Sequence, residues 1–110
     1  MTKLRTRLAA AAIACLAFAA MADGAGAAEM IVKIANFTFG PQTLTIPAGT
    51  TVTWVNDDDI PHVVAEKDGK FRSKALDTGD KFSQVFSTPG KVAYYCAIHP
   101  HMTGEIVVTP

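Results

Sequence analysis

From residue 28 to its end, the 110-residue chain predicts an all-β domain, a Greek-key β-sandwich of about seven to eight strands. Three observations carry this expectation. Runs of five to eight residues rich in Val, Ile, Thr and aromatics recur along the stretch, which is the composition of pleated, half-buried strands. Gly, Pro and Asp clusters separate these runs at short intervals. After Met30, apolar residues nowhere keep a 3.6-residue period over ten positions, so no amphipathic helix is expected.

MIVKIANF opens the set, and Gly40-Pro41 ends it. TLTIP alternates, which places Leu44 and Ile46 on one face, and Ala48-Gly49 turns the chain. TVTWVN runs into Asp57-Asp58-Asp59, expected to be a solvated turn, and then Pro61. HVVAE reads as a short strand closed by Asp68-Gly69. The less regular KFRSKALDTGD leads into KFSQVF, where Phe82 and Phe86 should face the core. Gln84 falls between them on the same side, so either its amide finds buried partners or a bulge shifts the phase. Pro89-Gly90 has the composition of a type II turn. In KVAYYC, Val92, Tyr94 and Cys96 share the core-facing side, while Tyr95 looks outward. GEIVV completes the sandwich. Trp54 and Tyr94 are expected as core aromatics.

The first 27 residues have a different character. Lys3, Arg5 and Arg7 precede a 15-residue apolar run from Leu8 to Ala22, and small residues ending in Ala25-Gly26-Ala27 follow. A basic start, a short apolar stretch and an Ala-x-Ala end describe a secretory signal peptide, with cleavage near 27/28 or 28/29. The run is shorter than the roughly 20 residues a membrane-spanning helix needs. The expectation is a leader over 1–27 and one domain over 28–110, exported to the periplasm, with no stable membrane insertion after cleavage. Cleavage removes Cys15 and leaves Cys96 as the domain's single thiol. It also removes three of ten basic residues but, with Asp23, one of ten acidic ones, so the whole-chain balance of +0 becomes −2. No basic stripe remains to bind nucleic acid. An odd cysteine in an oxidising compartment calls for an explanation other than a disulfide staple.

CAIHPHM, residues 96 to 102, supplies one. It crowds a thiol, two imidazoles and a thioether into a single segment: Cys96 ends its strand, and the next six residues are expected to form the loop before the last strand, at an open end of the sandwich. Cys96 and His99 offer two strong ligands. A third must come from elsewhere, and His62 is the one histidine outside the loop. A cysteine and two histidines in a trigonal plane, with a weak thioether on the axis, make a blue-copper site, and Met102 can supply that thioether. His101 is expected at the solvent-facing rim, and Ile98, Pro100 and Pro41 in an apolar patch around the His99 edge.

FTFGPQTLTIPAGTTVTWVNDDDIPHVV followed by YYCAIHPHMTGEIVV resembles the small blue-copper proteins, or cupredoxins, over nearly the whole of residues 28–110. The C-x-x-H-x-x-M spacing is most similar to that of the amicyanin-like members, whereas plastocyanin and pseudoazurin have two more residues between histidine and methionine. The resemblance implies one type 1 copper ion cycling between Cu(I) and Cu(II), held by His62, Cys96, His99 and Met102. It implies a monomeric electron shuttle, not an enzyme, that meets its redox partners transiently, with an amine dehydrogenase as donor and a cytochrome as acceptor in the amicyanin-like pairing. An exported copper carrier with the same fold is the alternative. Two positions depart from the pattern: Val63 and Ala97 stand where these families place Asn and Thr or Ser, so a side-chain tie between the two ligand segments is missing. The backbone N–H of Val63 can still donate to the Cys96 sulfur.

Overall fold

A computed structural model describes residues 28–110, and the leader expected over 1–27 lies outside them. Eight strands run in the order β1 (Glu29–Ala35), β2 (Thr38–Gly40), β3 (Thr43–Pro47), β4 (Thr50–Asn56), β5 (Val64–Glu66), β6 (Lys81–Phe86), β7 (Gly90–Cys96) and β8 (His99–Thr109). They form two four-stranded sheets, β2-β1-β4-β6 and β3-β8-β7-β5. Only the β1–β2 and β7–β8 links stay within one sheet; every other connection crosses between sheets, as in a Greek-key sandwich. Each sheet is mixed, because β1 pairs with β4, and β3 with β8, in parallel. Among the described residues no helix is long and apolar enough to cross a membrane.

The alternation read from the sequence sets the core. In β3, Leu44 and Ile46 are buried between exposed neighbours. In β7, Tyr94 and Cys96 are buried and Val92 half-buried on the same side. Trp54 stands at the centre, its ring within 5.2–6.3 Å of those of Phe71, Phe82, Phe86 and Tyr94, separations usual for stacked and edge-to-face aromatic pairs. Phe39 adds an edge contact to Tyr94 at 4.7 Å. The indole Nε1 of Trp54 and the hydroxyl of Tyr94 are both buried without a well-formed hydrogen bond.

Several local expectations change. MIVKIANF is not one strand: Asn36 and Phe37 both adopt positive φ, 52° and 60°, and fold the chain back into β2. This turn supplies the eighth strand. HVVAE is shorter than read, since β5 begins at Val64; His62 instead pairs with Leu76 through bonds of 3.1 and 2.7 Å. The irregular stretch before β6 thus covers the free edge of β5, where Ser73 bonds Val64 through both its backbone and its hydroxyl. Gln84 keeps its phase: the β4–β6 register runs without a bulge from Thr50↔Phe86 to Val55↔Lys81. Its side chain stays half-buried on an edge strand, with a long 3.4 Å bond to the Val85 carbonyl. Gly90, at φ 139°, is already the first residue of β7 and pairs with Val108.

The segment 97–102 is also not the six-residue loop expected. Only Ala97 and Ile98 lie between β7 and β8. The register jumps from Tyr95↔Thr103 to Cys96↔His99, so Pro100, His101 and Met102 form a large bulge on β8. A bulge bends its strand and re-aims side chains, and here it brings Met102 back inward while His101 stays exposed.

Candidate metal centre

Three ligand-bearing side chains meet at one end of the sandwich. Cys96 closes β7, fully buried, with its sulfur directed inward by strand alternation. His99 opens β8 across the tight turn, and its Nδ1 lies 3.6 Å from the Cys96 sulfur. His62 arrives from the long β4–β5 connection, also fully buried, with Nδ1 3.7 Å from the same sulfur. All three donor atoms lie within 4.8 Å of one another. Met102 is buried, at 6% exposure, and lines the same surface hollow as His99, together with Phe37, Ile98, Pro100 and His101. The apolar surround of the His99 edge therefore consists of Ile98, Pro100 and Phe37, where Phe37 takes the place expected of Pro41.

This arrangement fits a bound cation better than an ordinary thiol. A thiol has one proton and can satisfy one nitrogen at a time, yet two ring nitrogens converge on this sulfur. A cation at usual bond lengths, roughly 2.3 Å to thiolate and 2.0–2.1 Å to imidazole, holds S and N roughly 3.6 Å apart at tetrahedral angles and 3.8 Å at trigonal ones. The observed 3.6 and 3.7 Å fall inside that window. Thiolate, imidazole and thioether together form a soft to borderline donor set, suited to copper rather than to a hard cation such as magnesium or calcium.

The model of the cupredoxin-like domain family matches residues 8–108. The chain belongs to that family; it is a cupredoxin. It is 37% identical over 89 residues to amicyanin-alpha of Methylorubrum extorquens, covering 76% of this chain and 73% of that one. With a plastocyanin from a Synechococcus strain it shares 37% identity over 114 residues, covering 84% of this chain and 82% of the other. Among solved structures, a purple cupredoxin from Nitrosopumilus maritimus superposes with a TM-score of 0.68 at 38% identity, covering 73% of this chain and 99% of that chain. Amicyanin and plastocyanin relatives place this cupredoxin with the small blue-copper proteins that carry electrons.

The tie between the His62 and Cys96 segments of this cupredoxin is made by the backbone. Val63 N–H donates to the Cys96 sulfur at 3.3 Å, and Ala97 N–H donates to the Val63 carbonyl at 3.1 Å. The β5–β7 register continues the same seam with Val64 opposite Cys96. Asn and Thr side chains are therefore not required at 63 and 97. Hydrogen bonds to a ligating sulfur and to ligand rings tune metal sites of this kind.

Two residues of the cupredoxin's metal end were not singled out in the sequence. Asp58 is not an exposed acid like its neighbours: its side chain is only 11% exposed, and Oδ2 lies 2.8 Å from His62 Nε2. Its carboxylate also accepts the backbone N–H groups of Asn36 and Phe37, each at 3.0 Å. The Phe37 N–H first, then the His62 ring, hold its carboxyl below the usual carboxylate range against the opposing effect of burial, and the Asn36 N–H adds to the lowering. An ionised carboxylate only accepts, so the proton at this contact comes from His62 Nε2, and Nδ1 is the ring atom that faces Cys96. Asn56, wholly buried at the end of β4, is the other. Its amide donates to the carbonyls of Ile60 and Leu76 at 2.9 and 2.8 Å and accepts the Asp58 N–H at 2.9 Å. The only sequence signal for either was an Asn followed by Asp, the composition of an Asx turn.

Proposed function

We propose that this cupredoxin binds one type 1 copper ion through His62, Cys96, His99 and Met102, and that it shuttles single electrons between exported redox partners. The observation that carries the reading is the Cys96 sulfur, fully buried and nearly equidistant from two imidazole nitrogens at 3.6 and 3.7 Å. Copper bound there supplies a one-electron couple. Cys96 offers a thiolate shielded from water and oxidants by burial, and the Val63 N–H steadies its charge. His62, locked by Asp58 and buried, is a fixed ligand. His99 is only half-buried, and its ring reaches the surface within the apolar hollow of Phe37, Ile98 and Pro100. Electrons would enter and leave along that imidazole edge. Phe37 and Ile98 are 52% and 50% exposed, a small apolar contact of the kind that brief redox encounters use.

The domain would reach its partners after export and removal of residues 1–27, as the basic, apolar and small-residue order of that leader supports. An amine dehydrogenase donor and a cytochrome acceptor are the pairing the amicyanin relatives suggest. A carrier that hands copper on has less support, since two of its strong ligands, Cys96 and His62, are fully buried.

Visible and EPR spectra of the copper-loaded protein test this function. An intense thiolate-to-copper band with narrow hyperfine splitting is expected, and Cys96→Ser should abolish that band while leaving the β-sheet signal intact. A pale, ordinary Cu(II) spectrum in the unaltered protein would overturn the electron-transfer reading.

A further inference from the structure

Phe37 sits where an aromatic residue has no local reason to be. Its φ of 60°, next to Asn36 at 52°, is the left-handed region that bulky side chains rarely enter. A two-residue hairpin turn of this kind favours Asn-Gly. The ring is also 52% exposed, so the core does not hold it there. A strained residue persists where its surroundings over-determine it, and such residues cluster at functional sites.

Here one carboxylate supplies the constraint. Asp58 Oδ1 accepts the Asn36 N–H and Oδ2 the Phe37 N–H, each at 3.0 Å, while the same Oδ2 lies 2.8 Å from His62 Nε2. The turn so pinned sets the Phe37 ring nearly perpendicular to both imidazoles at the site. Its centroid is 5.6 Å from that of His62 at 89°, and 5.1 Å from that of His99 at 86°.

We propose that Asp58 is a positioning residue with two linked tasks: it holds His62 as the Nε2–H tautomer, and it clamps the Asn36–Phe37 turn so that the Phe37 ring shields both imidazoles from solvent. The tautomer and the clamp stand on the protein alone, and only the shield's effect on copper rests on the function proposed above. Asn cannot replace Asp58 without loss. Its single carbonyl leaves an NH2 facing either the Asn36 N–H, donor against donor, or His62 Nε2, which would push the ring proton to Nδ1 at the metal position.

The test begins with the metal-free, 15N-labelled protein at neutral pH. Long-range 15N–1H correlation should show His62 protonated at Nε2, with nuclear Overhauser contacts from the Phe37 ring to both His62 and His99. Asp58→Ala should lose the fixed tautomer and those contacts together, and Asp58→Asn should lose at least one. In the Cu(I)-loaded protein, Asp58→Ala should lose about 10–100-fold in copper affinity in competition with the hydrophilic chelator bathocuproine disulfonate, the range for outer partners of ligating histidines, and transfer to the chelator should be faster. Phe37→Ala, and to a lesser degree Phe37→Leu, should speed transfer several-fold, while the visible band of the oxidised Cu(II) form keeps its position, because neither variant removes a ligand. An Nδ1–H tautomer in the unaltered protein, unchanged tautomer and ring contacts in Asp58→Ala, or unaltered transfer from Phe37→Ala would each overturn the proposal. Absence of the thiolate band in the unaltered protein would instead count against copper, and the metal-free spectra would still decide the roles of tautomer and clamp.

Discussion

At Asn56 one side-chain amide settles the path of the whole ligand-bearing connection. Its three hydrogen bonds fix Ile60, Leu76 and Asp58 relative to the end of β4, and so fix where His62 leaves the chain. Asn56→Ala would strand buried backbone groups, each worth about 1–3 kcal/mol when left without a partner. The expected outcome is a lower denaturation midpoint at unchanged denaturant slope, together with a broadened His62 ring signal. The neighbouring aspartates show how little of this a string of letters carries. Asp57, Asp58 and Asp59 read alike in sequence, yet Asp57 and Asp59 are exposed and Asp58 is wedged between a turn and the His62 ring. The difference comes from the β1–β2 turn, more than twenty positions upstream, whose N–H groups only the fold brings near. Cys96 and His62 were legible because their chemistry is rare in this chain, and Asp58 was not because carboxylates are common and useful mainly by position.

Between elements, the β7–β8 ladder carries the site, and Gly104 is a point of close approach within it. It pairs with Tyr94 across the ladder, and a Cβ there would lie 2.3 Å from Tyr94 Cζ and 2.4 Å from its hydroxyl oxygen. The ring therefore lies over the bare glycine, and it also packs on Trp54 and Phe39. Gly104→Ala must displace that ring, at a cost of about 1–3 kcal/mol for overpacking; thermal unfolding should show the loss, with near-ultraviolet circular dichroism altered by the moved aromatics. Strand identity was legible from alternation in β3 and β7, where the period of two is strict. Strand ends were not. The break at Asn36-Phe37 carries no glycine or proline to announce it, and the bulge in β8 depends on how 96–99 closes rather than on local propensity. The parallel pairings of β1 with β4 and β3 with β8 join segments far apart in the chain, which no local pattern encodes.

Over the whole molecule, both sheets meet at the Trp54–Tyr94 contact, and its chemistry couples stability to pH. Burial pushes the Tyr94 hydroxyl from 10.0 up to about 12, with the Trp54 indole pulling slightly the other way. A folded-state pKa above the unfolded one means that the native protein keeps its proton longer, so stability is complete below pH ~10 and falls as pH rises from there to ~12. A shift of this size corresponds to roughly 3 kcal/mol. Alkaline unfolding should show that decline, and Tyr94→Phe should flatten it without harm at neutral pH, because the hydroxyl has no well-formed partner to lose. A sandwich so centred is open at the end where three connections converge: the 36–37 turn, the 57–62 segment and the β7–β8 turn. What the sequence determined alone was composition-deep: a β-sandwich from alternation and punctuation, and a candidate set of soft donors from four rare side chains. Tertiary structure decided how closely His62, Cys96 and His99 approach one another, which carboxylate meets the His62 ring and which aromatic ring packs against both imidazoles. The physical reason is that alternation and donor chemistry belong to a residue and its near neighbours, whereas convergence at a site depends on how segments tens of residues apart are packed together.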